Sequence, residues 1–236
     1  MDAGIISRRH FLGGALAGTT LIGLSACSTA ADVPKTDAVT LPPADPDPES
    51  MFGVDKNVNM ATIDAFIASG ALNNAALRDM RLADDPAHYE AIGGDSKLSM
   101  MIEGFTVVPY PYIGSLQVLP VEGAYVGPAL YSVVWDDAGS IVSATSNYAQ
   151  APDLLEDLFP KDKPILLMCG GGGYAGMMRK LLVYLGWNSE RIYNIGGMWD
   201  YVGKHPVQLI SYADPAHPKY YLWRASMPII DFSTLN

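Results

Sequence analysis

The chain is poor in cysteine, in histidine and in basic charge. Two cysteines, Cys27 and Cys169, and four histidines, His10, His88, His205 and His217, occur in 236 residues. The histidines show no metal-ligand spacing with one another or with a cysteine pair, so no zinc or other metal centre is expected. Lysine and arginine together number 15 against 25 acidic residues, a formal charge of −10. A chain of that sign has no electrostatic draw toward phosphate backbones, and no basic stripe offsets it, which sets nucleic acid aside. Apolar residues are plentiful: they make up 49% of the chain against 17% charged residues. That composition supplies a sizeable core and excludes global disorder, and the length fits one decorated domain or two small ones.

The first apolar run, Phe11 to Leu24, follows Arg8 and Arg9. It is too short for a comfortable membrane span and has the basic-then-apolar order of a signal peptide. Ser7-Arg8-Arg9-His10-Phe11-Leu12 resembles a twin-arginine export signal, and Leu24-Ser25-Ala26-Cys27 resembles a bacterial lipobox. The resemblance implies that residues 1–26 are removed and that Cys27 carries a lipid. The mature protein would then be extracytoplasmic and lipid-anchored to the cell membrane. An ordinary signal peptide with a chance cysteine is the plainer alternative. With Cys27 lipidated, Cys169 is the one remaining thiol, and no intramolecular disulfide can form although that compartment permits one. A lone free thiol there is either buried or used.

Residues 27–50 are rich in Pro, Asp, Ser and Thr and read as a flexible tether, with the folded domain spanning 51–236. Met60, Ile63, Phe66 and Ile67 form a helical stripe stopped by Gly70, and Ala75–Arg81 reads as a short strand. Residues 84–105 read as loop and helix turns. Thr106–Pro120 reads as extended chain punctuated by Pro109, Pro111 and Pro120. Two apolar runs about Asp136-Asp137-Ala138-Gly139 predict a hairpin. A short helix closed by Pro160, a buried strand through Lys163–Met168, a helix with apolar Met177, Met178, Leu181, Leu182 and Leu185, and a strand at Arg191–Ile195 follow. Lys219–Arg224 reads as a further strand, its aromatics packed on the core or facing a partner. Strand, short loop, helix, strand is the grammar of a mainly parallel α/β sheet.

Cys169 stands at the end of the buried strand and is followed by Gly170, Gly171, Gly172 and Gly173. A loop from strand to helix aims backbone N–H groups at one point, and the helix N-terminus adds partial positive charge. Glycines let those amides approach a bound anion or the sulfur itself, and a thiolate so held is nucleophilic. A buried, inert thiol on a tight glycine turn is the equal alternative. Other loop chemistries fit less well. No Lys follows the glycines as a phosphate-binding loop requires. Asn194 stands where a dinucleotide site wants an acidic residue, and Ala175 where a cysteine phosphatase wants Arg.

The stretch "ILLMCGGGGYAGMMRKLLVYLGWNSERIYNIGGMWDY", from Ile165 to Tyr201, resembles the second half of a rhodanese domain. The resemblance rests on an apolar strand, the cysteine, a short loop, a helix ending in Leu-Gly-aromatic, a strand and Gly-Gly-x-x-x-aromatic. Asp79-Met80-Arg81 resembles the Asp-x-Arg motif after that family's first strand. The resemblance implies a central, mainly parallel sheet flanked by helices. A β-hairpin insertion would fall near 124–147 and a C-terminal extension from about 204. It further implies sulfur transfer through a Cys169 persulfide. Gly170, Gly171, Gly172, Gly173, Tyr174 and Ala175 would form the substrate-binding loop, and Asp79 and Arg81 would brace it. No cofactor is implied, and the partner would be a small sulfur donor or a protein persulfide donor. Tyr174 stands where the family often carries a cation, so thiosulfate is a poor fit and a neutral or weakly charged donor a better one. A non-catalytic binding module on the same scaffold, or a thiol redox sensor, is a different reading of the same residues.

Overall fold

The computed structural model describes residues 40–82, 99–117, 125, 127–211, 219–220 and 230–236. In chain order the elements are α1 (Ile63–Ala68), β1 (Ala76–Asp79), β2 (Met100–Ile102), β3 (Thr106–Val107) and α2 (Tyr110–Ile113). They continue with β4 (Tyr131–Trp135), β5 (Ile141–Ser146), α3 (Ala151–Leu158), β6 (Ile165–Cys169), α4 (Gly173–Tyr184) and β7 (Ile192–Gly197). β8 (Pro206–Gln208), β9 (Ile210–Ser211) and β10 (Lys219–Tyr220) close the series. The architecture is α/β, built on a four-stranded sheet ordered β3-β1-β6-β7 with every neighbouring pair parallel.

β6 is buried along its whole length, as an interior strand covered on both faces must be. Its alternation sorts side chains between two cores. Ile165, Leu167 and Cys169 face the cluster that holds Met178, Leu181 and Leu182 of α4, together with α2, α3 and the hairpin. Leu166 and Met168 face the opposite cluster, with Ile63 of α1, Met101, Ile102 and Tyr193. The thiol therefore lies on the α4 side, at the carboxyl edge of the sheet. α4 begins at Gly173, inside the glycine run, and stops where Gly186 turns left-handed at φ +96° while the Trp187 N–H reaches the Leu182 carbonyl at 3.0 Å.

The expected hairpin is present: β4 pairs antiparallel with β5, and the Asp136 side chain takes the Ser140 N–H at 2.7 Å to close the turn. Three expectations are corrected. Tyr110–Ile113 is a helical turn rather than extended chain, since Pro111 sits in its first turn, where a missing N–H costs nothing. Met100–Ile102 is a strand rather than a loop, because β8 returns antiparallel beside it. Residues 40–50 are not tether. The Tyr193 hydroxyl donates to the Pro42 carbonyl at 2.6 Å, the Ala44 N–H donates to Glu190 at 2.9 Å, and buried Asp55 accepts the N–H groups of Asp45, Asn57 and Val58. These bonds turn a polar stretch back onto the domain and move its start to about residue 40. The export and lipidation signals including Cys27, and the aromatics Tyr221 and Trp223, lie outside the described residues. No helix among the described residues is long and apolar enough to cross a membrane.

Candidate functional site

β6 and β7 run in register until a bulge at their carboxyl ends sets Cys169 opposite Gly197. A side chain at Gly197 is impossible without movement, since its Cβ would lie 2.1 Å from the Gly170 carbonyl oxygen and 2.4 Å from the Gly171 Cα. The loop leaves β6 across this gap, pinned by the Trp199 N–H donating to the Gly170 carbonyl at 3.0 Å. Gly172 then adopts φ +93°, a left-handed conformation suited to glycine, and its N–H donates to Cys169 Sγ at 3.0 Å. The backbone amides of Ala175 and Tyr174 act on the sulfur as well, each favouring its charged form. Of the loop amides, Gly172 bonds the sulfur directly, and those of Tyr174 and Ala175 act on it electrostatically.

The electrostatics run in two directions. Cys169 is only 3% exposed, and burial pushes its thiol above the ordinary value. The Ala175 amide pulls the other way, the nearby Asp79 carboxylate adds to the rise, and the Gly172 and Tyr174 amides again oppose it. The net direction is upward, so the resting group is a covered thiol, with the Gly172 N–H on its sulfur and the Ala175 and Tyr174 amides favouring the charge it would carry as a thiolate.

Asp79 and Arg81 are fully interior, at 0% and 3% side-chain exposure. Arg81 Nε donates to both Asp79 carboxylate oxygens at 3.0 Å, the Arg81 N–H donates to Oδ1 at 3.1 Å, and Nη2 bonds both Oδ2 and, at 2.6 Å, the Met100 carbonyl. The pair ties the end of β1 to β2 beside the cysteine strand, since Asp79 pairs with Met168.

Tyr174 lies with its ring stacked on that of Tyr110, centroids 6.1 Å apart and planes 26° apart. Tyr110 is fully buried and donates its hydroxyl to the Ser115 carbonyl at 3.2 Å. The two cations that follow are held elsewhere. Arg179 Nε donates to the Ile192 carbonyl at 3.0 Å and Nη2 to Ser189 at 3.2 Å, while Lys180 Nζ donates to Gly139 in the hairpin turn at 2.7 Å. The loop has the amides of an anion site without a side-chain cation turned to it from α4.

Three residues outside the expected set shape this loop. The ring of Trp199 lies against Gly171, where an added Cβ would meet it at 3.0 Å. Phe52 covers Gly172 and Gly173, with ring atoms 3.6 and 3.5 Å from the places a Cβ would occupy. Buried Asn194 donates from Nδ2 to the Gly172 carbonyl at 3.2 Å and to the Phe52 carbonyl at 2.9 Å, and accepts the Gly196 N–H at 3.0 Å. Only the glycines themselves signalled such close approaches in the sequence. Among the described residues no three His, Cys, Asp or Glu side chains gather to hold a metal ion. In comparisons with known proteins, the chain matches no protein-family model, no curated protein and no solved structure.

Proposed function

We propose that the protein is an exported, lipid-anchored sulfurtransferase with a rhodanese-like fold, the β4–β5 hairpin being an insertion in that plan. The observation that carries this reading is the Gly172 N–H donated to Cys169 Sγ at 3.0 Å, where the strand meets the start of α4, with the Tyr174 and Ala175 amides also favouring charge on the sulfur. Amides so placed stabilise negative charge on the attacking sulfur and, one bond further out, on a persulfide. In the first half-reaction the Cys169 thiolate attacks the terminal sulfur of a polysulfide chain. A Cys169–S bond forms, the sulfur–sulfur bond of the donor breaks, and its electron pair leaves on the shortened polysulfide. In the second, a nucleophilic acceptor attacks the outer sulfur and the electron pair returns to Cys169. No net oxidant or reductant enters. The thiol proton must leave before the first step, and the amides lower that cost while burial and Asp79 raise it.

A second reading has its own support: at 3% exposure, Cys169 fits equally a core residue of a non-catalytic binding module. Intact mass of the full chain in detergent, after polysulfide and separately after thiosulfate, distinguishes the two. A gain of about one sulfur mass, reducible and absent in Cys169→Ser, is the result expected of the transferase. No adduct from either donor overturns it in favour of the binding module.

A further inference from the structure

The glycines of the loop do more than admit the sulfur. Gly172 and Gly173 receive the ring of Phe52, and Gly176, one turn into α4, receives its backbone: a Cβ there would lie 2.6 Å from the Phe52 carbonyl oxygen. A thiol cradle alone has no need of glycine at 176. The strap that occupies this space, residues 46–55, is a narrow loop closed on itself by the Asp47 N–H to Val54 carbonyl bond at 2.9 Å and the Val54 N–H to Ser50 Oγ bond at 3.0 Å. It turns through Gly53 at φ +64°.

The strap is anchored at its Asp55 end, which is buried, and by Val54 packed on Gly172 and Gly196, while its tip at Met51 and Phe52 is held more loosely. Near the loop it is fastened by the Asn194 amide to Phe52 and by the Asp55 N–H to the Asn194 carbonyl at 2.8 Å. Met51 is 87% exposed and Phe52 41%. Between strap and helix lies a cavity of about 370 Å³ lined by Phe52, Gly53, Gly176, Arg179 and Lys180 among others. A segment with few buried apolar contacts and exposed backbone bonds opens at a small fraction of the global unfolding cost. Asn194 meanwhile holds the Gly172 peptide, whose N–H is on the sulfur, with the same Nδ2 that holds the strap.

We infer that the strap at residues 46–55 is a removable cover over the Cys169 loop, and that Asn194 is the positioning residue coupling the cover to the amide cradle. The inference rests on Cys169 being the reactive group of the proposed sulfur transfer. Undocking the strap uncovers Gly172 and Gly173 and gives a donor room beside the sulfur. Redocking returns the Phe52 carbonyl to Asn194 and leaves the loaded or resting sulfur shielded.

The test is the pH–rate profile of Cys169 alkylation by iodoacetamide in the folded full chain, for the parent, Phe52→Ala and Asn194→Ala, with Cys169→Ser as blank. The plateau at high pH reads access, and the midpoint reads the cradle. Phe52→Ala is expected to raise the plateau about tenfold or more, with a midpoint below that of the parent, while the thermal unfolding transition remains. Asn194→Ala is expected to raise the plateau as far, with a midpoint above that of Phe52→Ala, because Gly172 is no longer held. Gly53→Ala strains the strap alone and stands in if either variant fails to fold. Plateaus equal to the parent in folded Phe52→Ala or Gly53→Ala overturn the cover. Coincident midpoints in folded Phe52→Ala and Asn194→Ala overturn the positioning role. Sulfur loading is measured on the same samples, so faster alkylation without loading keeps the cover and removes the transferase.

Discussion

Gly197 and Gly170 approach so closely that no side chain fits between them: a Cβ on Gly197 would stand 2.1 Å from the Gly170 carbonyl oxygen. The contact is backbone against backbone, so no rotamer change relieves it. Gly197→Ala must therefore push the cysteine loop away from β7 and break the bond from the Trp199 N–H to Gly170. Overpacking of this kind costs about 1–3 kcal/mol. Urea denaturation is expected to show that loss, and Trp199, lying on Gly171, is expected to report the displaced loop by a shift in its fluorescence.

Arg81→Met is expected to be among the most destabilising single changes. It leaves the Asp79 carboxylate, at 0% exposure, without its guanidinium partner. Breaking a buried pair from one side costs about 3–5 kcal/mol, because an uncompensated charge remains inside. The double variant Asp79→Asn, Arg81→Met removes that charge and is expected to recover part of the loss in urea melts. A double variant no more stable than Arg81→Met would show that the hydrogen bond to Met100, rather than the charge, carries the cost.

Parts of the fold around the site were readable in the sequence. Ile165–Met168 is a continuous apolar run bounded by Pro164 and a glycine loop, and a strand buried on both faces needs that pattern. Asp79 and Arg81 were singled out only by the resemblance of Asp79-Met80-Arg81 to a family motif; that they are buried was not legible. The strap was not readable. Phe52 meets Gly172, Gly173 and Gly176 through shape, and no local period records a contact made across so much of the chain. Residues 40–50 misled for a related reason: Pro and Asp are tether composition, but Asp55 satisfies the turned backbone from inside the fold. The brief β2 and the single turn of α2 are too short for periodicity to register.

Alkaline pH is expected to weaken the fold, in part through Tyr193 and Tyr201. Tyr193 and Tyr201 are both pushed up to about 12 from 10.0. Burial is the first cause in each. The charge of Asp55 adds at Tyr193, and at Tyr201 the hydrogen bond to Asp64, 2.7 Å from the hydroxyl, adds more. Between those two values the unfolded chain has lost protons that the native chain keeps, so unfolding becomes easier as pH rises. Stability from these groups is full below pH 10 and is lost on the way to 12. Tyr201→Phe is expected to cost about 1 kcal/mol at neutral pH through the lost bond and to flatten the alkaline fall in the urea midpoint.

Tyr174→Arg tests what the loop discriminates. Tyr174 stacks on Tyr110 and brings no charge, while Arg179 and Lys180 hold carbonyls on other elements. In the transferase reading, thiosulfate must then approach amides alone, beside the Asp79 carboxylate that already disfavours negative charge on Cys169. A guanidinium at 174 supplies a charge-assisted, bidentate partner for the sulfonate, and such bonds are about twice as strong as neutral ones. The expected outcome is faster Cys169 loading from thiosulfate in Tyr174→Arg than in the parent, with loading from polysulfide changed far less. The ratio of the two loading rates, read by intact mass over time, separates donor recognition from any general change in thiol access. A ratio unchanged from the parent would place donor selection in the strap and Trp199 rather than at position 174.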